Sequence, residues 1–191
     1  MKIMLVHESP DRAEVLRHAL ASAGHDVTSH AASAVDLHRD VCRLQPEIII
    51  IDTESPDRDT LENLCVLSET MPRPVVMFSH DDDSLKIREA VRAGVAAYVV
   101  NGLAANRVQP ILELAVARFD SLQSLKLELA QANTKLEERK LVERAKGILM
   151  KSRGLSEDEA FRLLRKQAME RSQKLADVAR QVIAVADLLA G

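Results

Sequence analysis

Tryptophan is absent from this 191-residue sequence, tyrosine occurs once and phenylalanine three times. The last third of the chain holds a single aromatic, Phe161, which argues against the aromatic stacking platform that many single-strand nucleic-acid modules use. Two cysteines, Cys42 and Cys65, are too few and too isolated for a metal cluster or a disulfide framework. They are expected to be buried thiols in a reducing compartment. Six glycines and six prolines leave little room for low complexity or disorder. No long hydrophobic run is present at the start: the short apolar run after Lys2 is ended by His7 and Glu8, too soon for a signal peptide or a membrane span. A cytoplasmic protein with no membrane contact is expected. No nucleophile–base pair or metal cluster emerges either, so an enzyme is the least supported reading.

What is present is a core and a charge asymmetry. Hydrophobic residues make up 47% of the chain, enough to bury a real interior, while 29% charge keeps the surface wet. The formal net charge of −3 conceals two halves. Residues 1–119 carry 12 Lys and Arg against 18 Asp and Glu, whereas residues 139–180 carry 12 against 6. A basic segment tied to an acidic one points to a polyanionic partner for the tail.

The hydrophobic pattern divides the chain in the same way. IMLV (3–6), DVTSH (26–30), EIIII (47–51), PVVMF (74–78) and AAYVV (96–100) read as five strands. EIIII and PVVMF are continuous apolar runs, the pattern of strands covered on both faces. Helical periodicity falls near 11–23, 34–44, 58–70, 84–93 and 105–118. This β-α alternation predicts an α/β domain with a doubly wound five-stranded parallel sheet over residues 1–118. Sites in such sheets form at the carboxyl ends of the strands.

From 119 the strand signal stops. Leu122, Leu125, Leu129, Ala132 and Leu136 recur at alternating spacings of three and four, a short coiled-coil seam. The spacing predicts a linker helix over 119–138, continuous with the preceding helix and paired with a second copy. That helix is expected to run to Ser152, with Gly154 as a left-handed stop. Ser156 and Glu159 then fit a capping box. A third helix follows from the spacing of Leu175, Val178, Ala179, Val182 and Ala186. Residues 139–191 are therefore expected to be a three-helix unit in which Ala145, Gly147, Ala160, Ala168 and Ala179 allow close approach. Met150 and Met169 are expected in its core, and Gly147 to allow close approach, either of the third helix, the slightly favoured reading, or of the polyanionic partner.

At the strand ends, Glu8 follows the first strand, Asp52 ends the third and Ser79 the fourth. This arrangement resembles the receiver domain of response regulators. The family places two acids after its first strand, a phosphate-accepting Asp after the third, Ser or Thr after the fourth and Lys after the fifth. The resemblance makes Asp52, Glu8, His7, Ser79 and Asn101 a vestigial phosphoacceptor pocket. His7 stands where the family has its other acid, Asn101 where it has Lys, and Gly102 where it usually has proline. Losing a hard oxygen ligand and a fixed cation removes most of the basis for phosphate chemistry. No cofactor is expected. Glu8 and Asp52 are weak candidates for Mg²⁺, and phosphorylation is expected to be dispensable.

AKGILM (145–150), Gly154, Ser156, EAF (159–161), LLR (163–165), QAM (167–169) and KLADVA (174–179) resemble the ANTAR domain, a three-helix RNA-binding module of transcription antiterminators. DTESPDRD (52–59), RPVVMFS (73–79) and NRVQPILELAVARF (106–119) resemble the NasT-type subgroup, which controls nitrate and nitrite assimilation. The resemblance implies a homodimer that binds paired hairpins in leader RNA and keeps a terminator from forming, so that RNA polymerase reads on. It also implies a nitrate-sensing, NasS-like partner that sequesters the regulator. Arg144, Lys146, Lys151, Arg165, Lys166, Arg171 and Lys174 are the candidate RNA contacts, because Lys and Arg engage phosphates and Arg also engages loop bases. The acids Glu157, Asp158 and Glu159 are expected to favour the N-terminus of the second of the three helices and to face away from the RNA phosphates. A phosphorylation-dependent or DNA-binding response regulator and a protein-interaction adaptor remain the alternatives.

Overall fold

A computed structural model describes residues 1–32, 36–100 and 105–190. The chain divides into two compact units, Met1–Gln123 and Ser124–Gly191. In the first, strands and helices alternate: β1 (Lys2–His7), α1 (Pro10–Ser22), β2 (Asp26–Ala31), α2 (Leu37–Leu44), β3 (Ile48–Thr53), α3 (Arg58–Thr70), β4 (Val75–Ser79), α4 (Ser84–Arg92) and β5 (Ala97–Val100). The strands pair in parallel in the order β2-β1-β3-β4-β5, the doubly wound sheet expected from the sequence. Chain direction across the sheet reverses between β1 and β3. The crevice at their carboxyl ends is where such a fold gathers functional groups.

Period-two alternation splits the core between the two faces. Ile3, Leu5, Ile48, Ile50, Val76 and Phe78 pack with Leu16 and Leu20 of α1 and with Leu112 and Ala115. Met4, Val6, Ile49, Ile51 and Met77 pack on the other face with Val41, Leu64, Leu67 and Ala90. β3 is buried along its whole length, which is why its sequence is four consecutive isoleucines. Each such side chain contributes about 1.5–3 kcal/mol on full burial. Aspartates start three of the helices: Asp36, Asp57 and Asp83 accept from the amides of Arg39, Thr60 and Leu85 at 3.1, 2.7 and 2.8 Å. Gly94, at φ +102°, turns the chain from α4 into β5 so close to α3 that a Cβ there would lie 2.8 Å from Ser68 Cβ.

The cysteines depart from expectation. Both are exposed. Val41 of α2 and Leu64 of α3 take the core-facing positions, and Cys42 and Cys65, one residue later, are turned about 100° away. Cys42 Sγ rests 3.4 Å from Met71 Sδ at the surface.

α5 (Ala105–Arg153) is one 49-residue helix that begins in the first unit and continues into the second. Gly154, at φ +65°, ends it, as the sequence predicts. α6 (Glu157–Glu170) opens on the expected capping box, in which Ser156 and Glu159 satisfy each other's backbone amides. α7 (Leu175–Ala190) completes the second unit. Its core is narrow because it is built on alanines: Ala145, Ala160, Ala168 and Ala179 pack with Leu149, Leu164, Val178 and Ile183. Met150 and Met169 are not part of it. Met169 is 73% exposed, because the buried stripe of α6 runs through Ala160, Leu164 and Ala168 and leaves the next residue on the outer face.

Candidate functional site

Asp52 sits at the carboxyl end of β3, 1% exposed and opposite His7 in the β1–β3 register. The guanidinium of Arg12, from the first turn of α1, donates to Asp52 Oδ1. Burial pushes the Asp52 carboxyl above its ordinary range, and Arg12, aided by His80, offsets only part of that push. Glu8 is engaged elsewhere. Its two oxygens accept from Thr53 Oγ1 at 2.6 Å and from the Glu54 amide at 2.9 Å. Ser79 donates to the Glu54 carbonyl at 2.9 Å and accepts from the Asp81 amide at 3.1 Å. His7 Nδ1 is buried and has no hydrogen-bond partner among the described residues. Asn101 and Gly102 lie outside the described residues.

A second cluster adjoins the first. Lys86 of α4 donates to Asp81 Oδ2 at 2.7 Å and to Ser55 Oγ at 2.5 Å, and Ser55 donates to the same carboxylate at 2.7 Å. Tyr98 donates to the Asp81 carbonyl at 3.0 Å. Lys86 first, then Ser55, hold the Asp81 carboxyl down at about 2. These bonds tie the loop after β3 to the loop after β4. The motif reading missed Arg12, Ser55, Asp81 and Lys86. Arg12 left a trace, since a cation in the first turn of a helix opposes the helix dipole and calls for a compensating anion.

In the second unit the seven candidate cations separate into groups. Lys151, Arg165 and Lys174 are exposed and form no ion pair among the described residues. Arg144 reaches Asp187 at 2.9 Å, Arg171 donates to Gln181 at 3.0 Å, and Lys166 lies 3.8 Å from Glu170; all three cations are exposed. Lys146 differs from the rest. It is only 8% exposed, and its Nζ lies 2.7 Å from Glu157 and 2.9 Å from Glu143, which raise its pKa in that order. The pairing of Lys146 with Glu157 was not foreseen from the sequence. The turn at Gly154 folds the start of α6 back beside α5, and Glu157 becomes the lid on Lys146. The third-helix reading of Gly147 is corrected: a Cβ there would meet nothing within 4 Å, so no neighbouring helix requires the glycine. The seam residues Leu122, Leu125, Leu129 and Leu136 are 48–63% exposed along α5, and Ala132 is exposed with them.

The response regulator receiver domain matches residues 3–113, and the ANTAR domain matches residues 130–183. The chain belongs to the response regulator receiver family and carries an ANTAR domain. It is similar to the transcriptional regulatory protein PdtaR of Mycobacterium tuberculosis, 31% identical over 173 residues, covering 91% of this chain and 82% of that protein. A nitrate regulatory protein of Klebsiella oxytoca is 40% identical over 75 residues, 39% of this chain and 19% of that one. The fold of the first unit is also that of the response regulator domain of Thermotoga maritima CheB, with a TM-score of 0.51 and 22% identity over 63% of this chain and 96% of that one. A receiver–ANTAR chain is an RNA-binding, antiterminator-type response regulator. Among the described residues no helix is long and apolar enough to cross a membrane.

The receiver family implies Mg²⁺, and the residues of this pocket do not fit it. Mg²⁺ demands near-octahedral oxygen ligands. Here Asp52 is ion-paired, each oxygen of Glu8 already accepts a hydrogen bond, and the remaining family position offers the imidazole of His7. Among the described residues no three His, Cys, Asp or Glu side chains converge to hold an ion.

Proposed function

We propose that this receiver–ANTAR regulator acts as a dimer on paired hairpins in a leader RNA and prevents an overlapping terminator from forming, so that RNA polymerase reads into the genes beyond. The observation that carries this reading is the set of exposed cations Lys151, Arg165 and Lys174 on the ANTAR unit, which form no ion pair among the described residues. Each supplies a phosphate contact without first giving up an acidic partner. Arg144, Lys166 and Arg171 join them once RNA displaces Asp187, Glu170 and Gln181. Lys146 contributes through its bonds to Glu143 and Glu157, which hold α5 and α6 together. The exposed seam Leu122, Leu125, Leu129, Ala132 and Leu136 supports pairing with a second copy, so that two ANTAR units face two hairpins. Nitrate and nitrite assimilation genes are the proposed targets, and a nitrate-sensing NasS-like protein the proposed sequestering partner. The likeness to a nitrate regulatory protein supports that choice of signal.

The test is transcription of a leader template carrying two hairpins and a terminator. Added protein should raise read-through. It should shift the leader RNA in a gel but not the same sequence as duplex DNA. Adding the NasS-like partner should abolish read-through, and nitrate should restore it. Equal binding to RNA and duplex DNA, or read-through indifferent to the protein, would sink the antiterminator reading. Asp52→Asn should leave read-through nearly unchanged, whereas its collapse in a folded variant would bring phosphate control back.

A further inference from the structure

We propose that Arg12 is the resident cation of the receiver pocket, standing in for the divalent ion and closing Asp52 to both metal and phosphoryl group. The carboxylate of Asp52 is 1% exposed and its Oδ1 is taken by the Arg12 guanidinium. A guanidinium is a fixed positive charge at any physiological pH, presents several donors in one plane, and is more weakly hydrated than an ammonium. Brought into a desolvated carboxylate pocket it neutralises the acid, and it repels a second cation from the same oxygens. An ion entering here has to displace Arg12 from the buried Asp52 carboxylate.

The neighbouring groups support the same assignment. Glu8, the one retained acid after β1, spends both oxygens on Thr53 and the Glu54 amide. Ser79, the hydroxyl that a phosphoryl oxygen would need, instead donates to the Glu54 carbonyl. Lys86, the nearby lysine on α4, is anchored to Asp81 and Ser55. Asp52 Oδ1, both oxygens of Glu8, the Ser79 hydroxyl and the two cations are thus engaged within the chain. The loops after β3 and β4 are pinned to each other by Ser55, Asp81 and Lys86 instead of being free to answer a covalent signal. The receiver unit of this regulator holds one fixed arrangement, and its input has to arrive by contact with another molecule. This inference rests on the pocket alone and stands whether or not the ANTAR unit binds the proposed leader RNA.

Mn²⁺ uptake by the full-length chain tests it, read from the free-ion paramagnetic resonance signal. The wild-type protein and Asp52→Asn should take up the same amount at millimolar Mn²⁺. Arg12→Gln with His7→Asp, which restores the second acid, should gain about one ion per chain, while His7→Asp alone should not, and adding Asp52→Asn to the pair should lose the ion again. Wild-type uptake that exceeds Asp52→Asn overturns the proposal, and so does His7→Asp alone binding as much as the folded double variant. Should the double variant fail to fold, nitrogen-15 spectra of arginine side chains in the wild-type protein decide. The Arg12 guanidinium protons should give separate, slowly rotating signals that vanish in Asp52→Asn. Their absence from the wild-type spectrum overturns the assignment.

Discussion

The receiver unit and the ANTAR unit treat charge in opposite ways. In the receiver pocket the acids at the strand ends meet partners supplied by the same unit: Asp52 meets Arg12, Glu8 meets Thr53 and a backbone amide, and Asp81 meets Lys86. In the ANTAR unit Lys151, Arg165 and Lys174 stand exposed with no acid beside them among the described residues. Internally satisfied charge fixes a shape, and unsatisfied exposed charge is available to a polyanion. The receiver half has kept its scaffold and closed its chemistry, while the tail has kept its chemistry open. Lys146 is the exception in the tail, since it is the one candidate cation that is both paired and buried.

The sharpest way to break the comparison is to remove Arg12. Arg12→Ala leaves the Asp52 carboxylate buried without its cation, and breaking such a pair by removing one member costs about 3–5 kcal/mol. At about 2–4 °C per kcal/mol for a chain of this size, the thermal midpoint should fall by roughly 6–20 °C. Replacing both partners together, Arg12→Met with Asp52→Leu, should recover most of the loss, because no stranded charge remains. If Arg12→Ala melts like the wild-type protein, the pair is a surface contact and the receiver pocket is open after all.

The seam on α5 is next in size. Leu125→Glu with Leu129→Glu places four like charges in the proposed dimer interface. Analytical ultracentrifugation should find a monomer. Binding to a two-hairpin RNA should weaken about 100-fold or more as avidity is lost, while binding to a single hairpin changes little. A variant that still sediments as a dimer would move the interface away from this stripe.

How much of this was written in the sequence depends on the range of the signal. The sheet, the capping box and the Gly154 stop were legible because each rests on local periodicity or a short motif: four isoleucines for β3, Ser156 with Glu159, and a glycine at the end of a helical run. Asp52, Glu8 and Ser79 were placed by counting to strand ends. Arg12 was not foreseen as the partner of Asp52, because 40 residues separate them and only the return of α1 over the sheet brings them together. Lys86 and Ser55, 31 residues apart, meet for the same reason across two loops. The pairing of Lys146 with Glu157 was not foreseen, because charge counting along a helix ignores the reversal of direction at Gly154. The cysteines and Met169 failed differently. Their hydrophobicity suggested burial, but each sits one position beyond the core-facing residue of its helix.

The exposed cations sharpen the other side of the comparison. Lys151→Ala, Arg165→Ala and Lys174→Ala should each leave the melting temperature unchanged, since no ion pair is lost. Each phosphate contact removed should reduce the slope of log affinity against log salt by about 0.7 if the hairpin loop behaves as a single strand. A variant that instead loses discrimination between wild-type and mutated loops identifies a base-reading residue. Lys146→Ala should behave unlike these three. It should lower the melting temperature by freeing the start of α6, and any loss of RNA binding should disappear when the comparison is made well below that temperature. If all three exposed variants keep wild-type affinity and slope, the RNA surface lies outside this set.

The smallest effect comes from a single methyl group, and it separates fold from function most cleanly. Gly147 lies inside α5, where glycine costs about 1 kcal/mol relative to alanine because of backbone entropy. A Cβ at this position would touch nothing within 4 Å, so the unit gains nothing in packing from the missing side chain. Gly147→Ala should therefore stabilise the ANTAR unit by about 1 kcal/mol in denaturant unfolding. If the glycine instead makes room for an RNA backbone, the same variant should bind leader RNA more weakly while being more stable. Opposite signs in the two measurements would place RNA against this face of α5, next to Lys151 one helical turn away. A gain in stability with unchanged affinity would leave Lys151, Arg165 and Lys174 as the interface and Gly147 outside it.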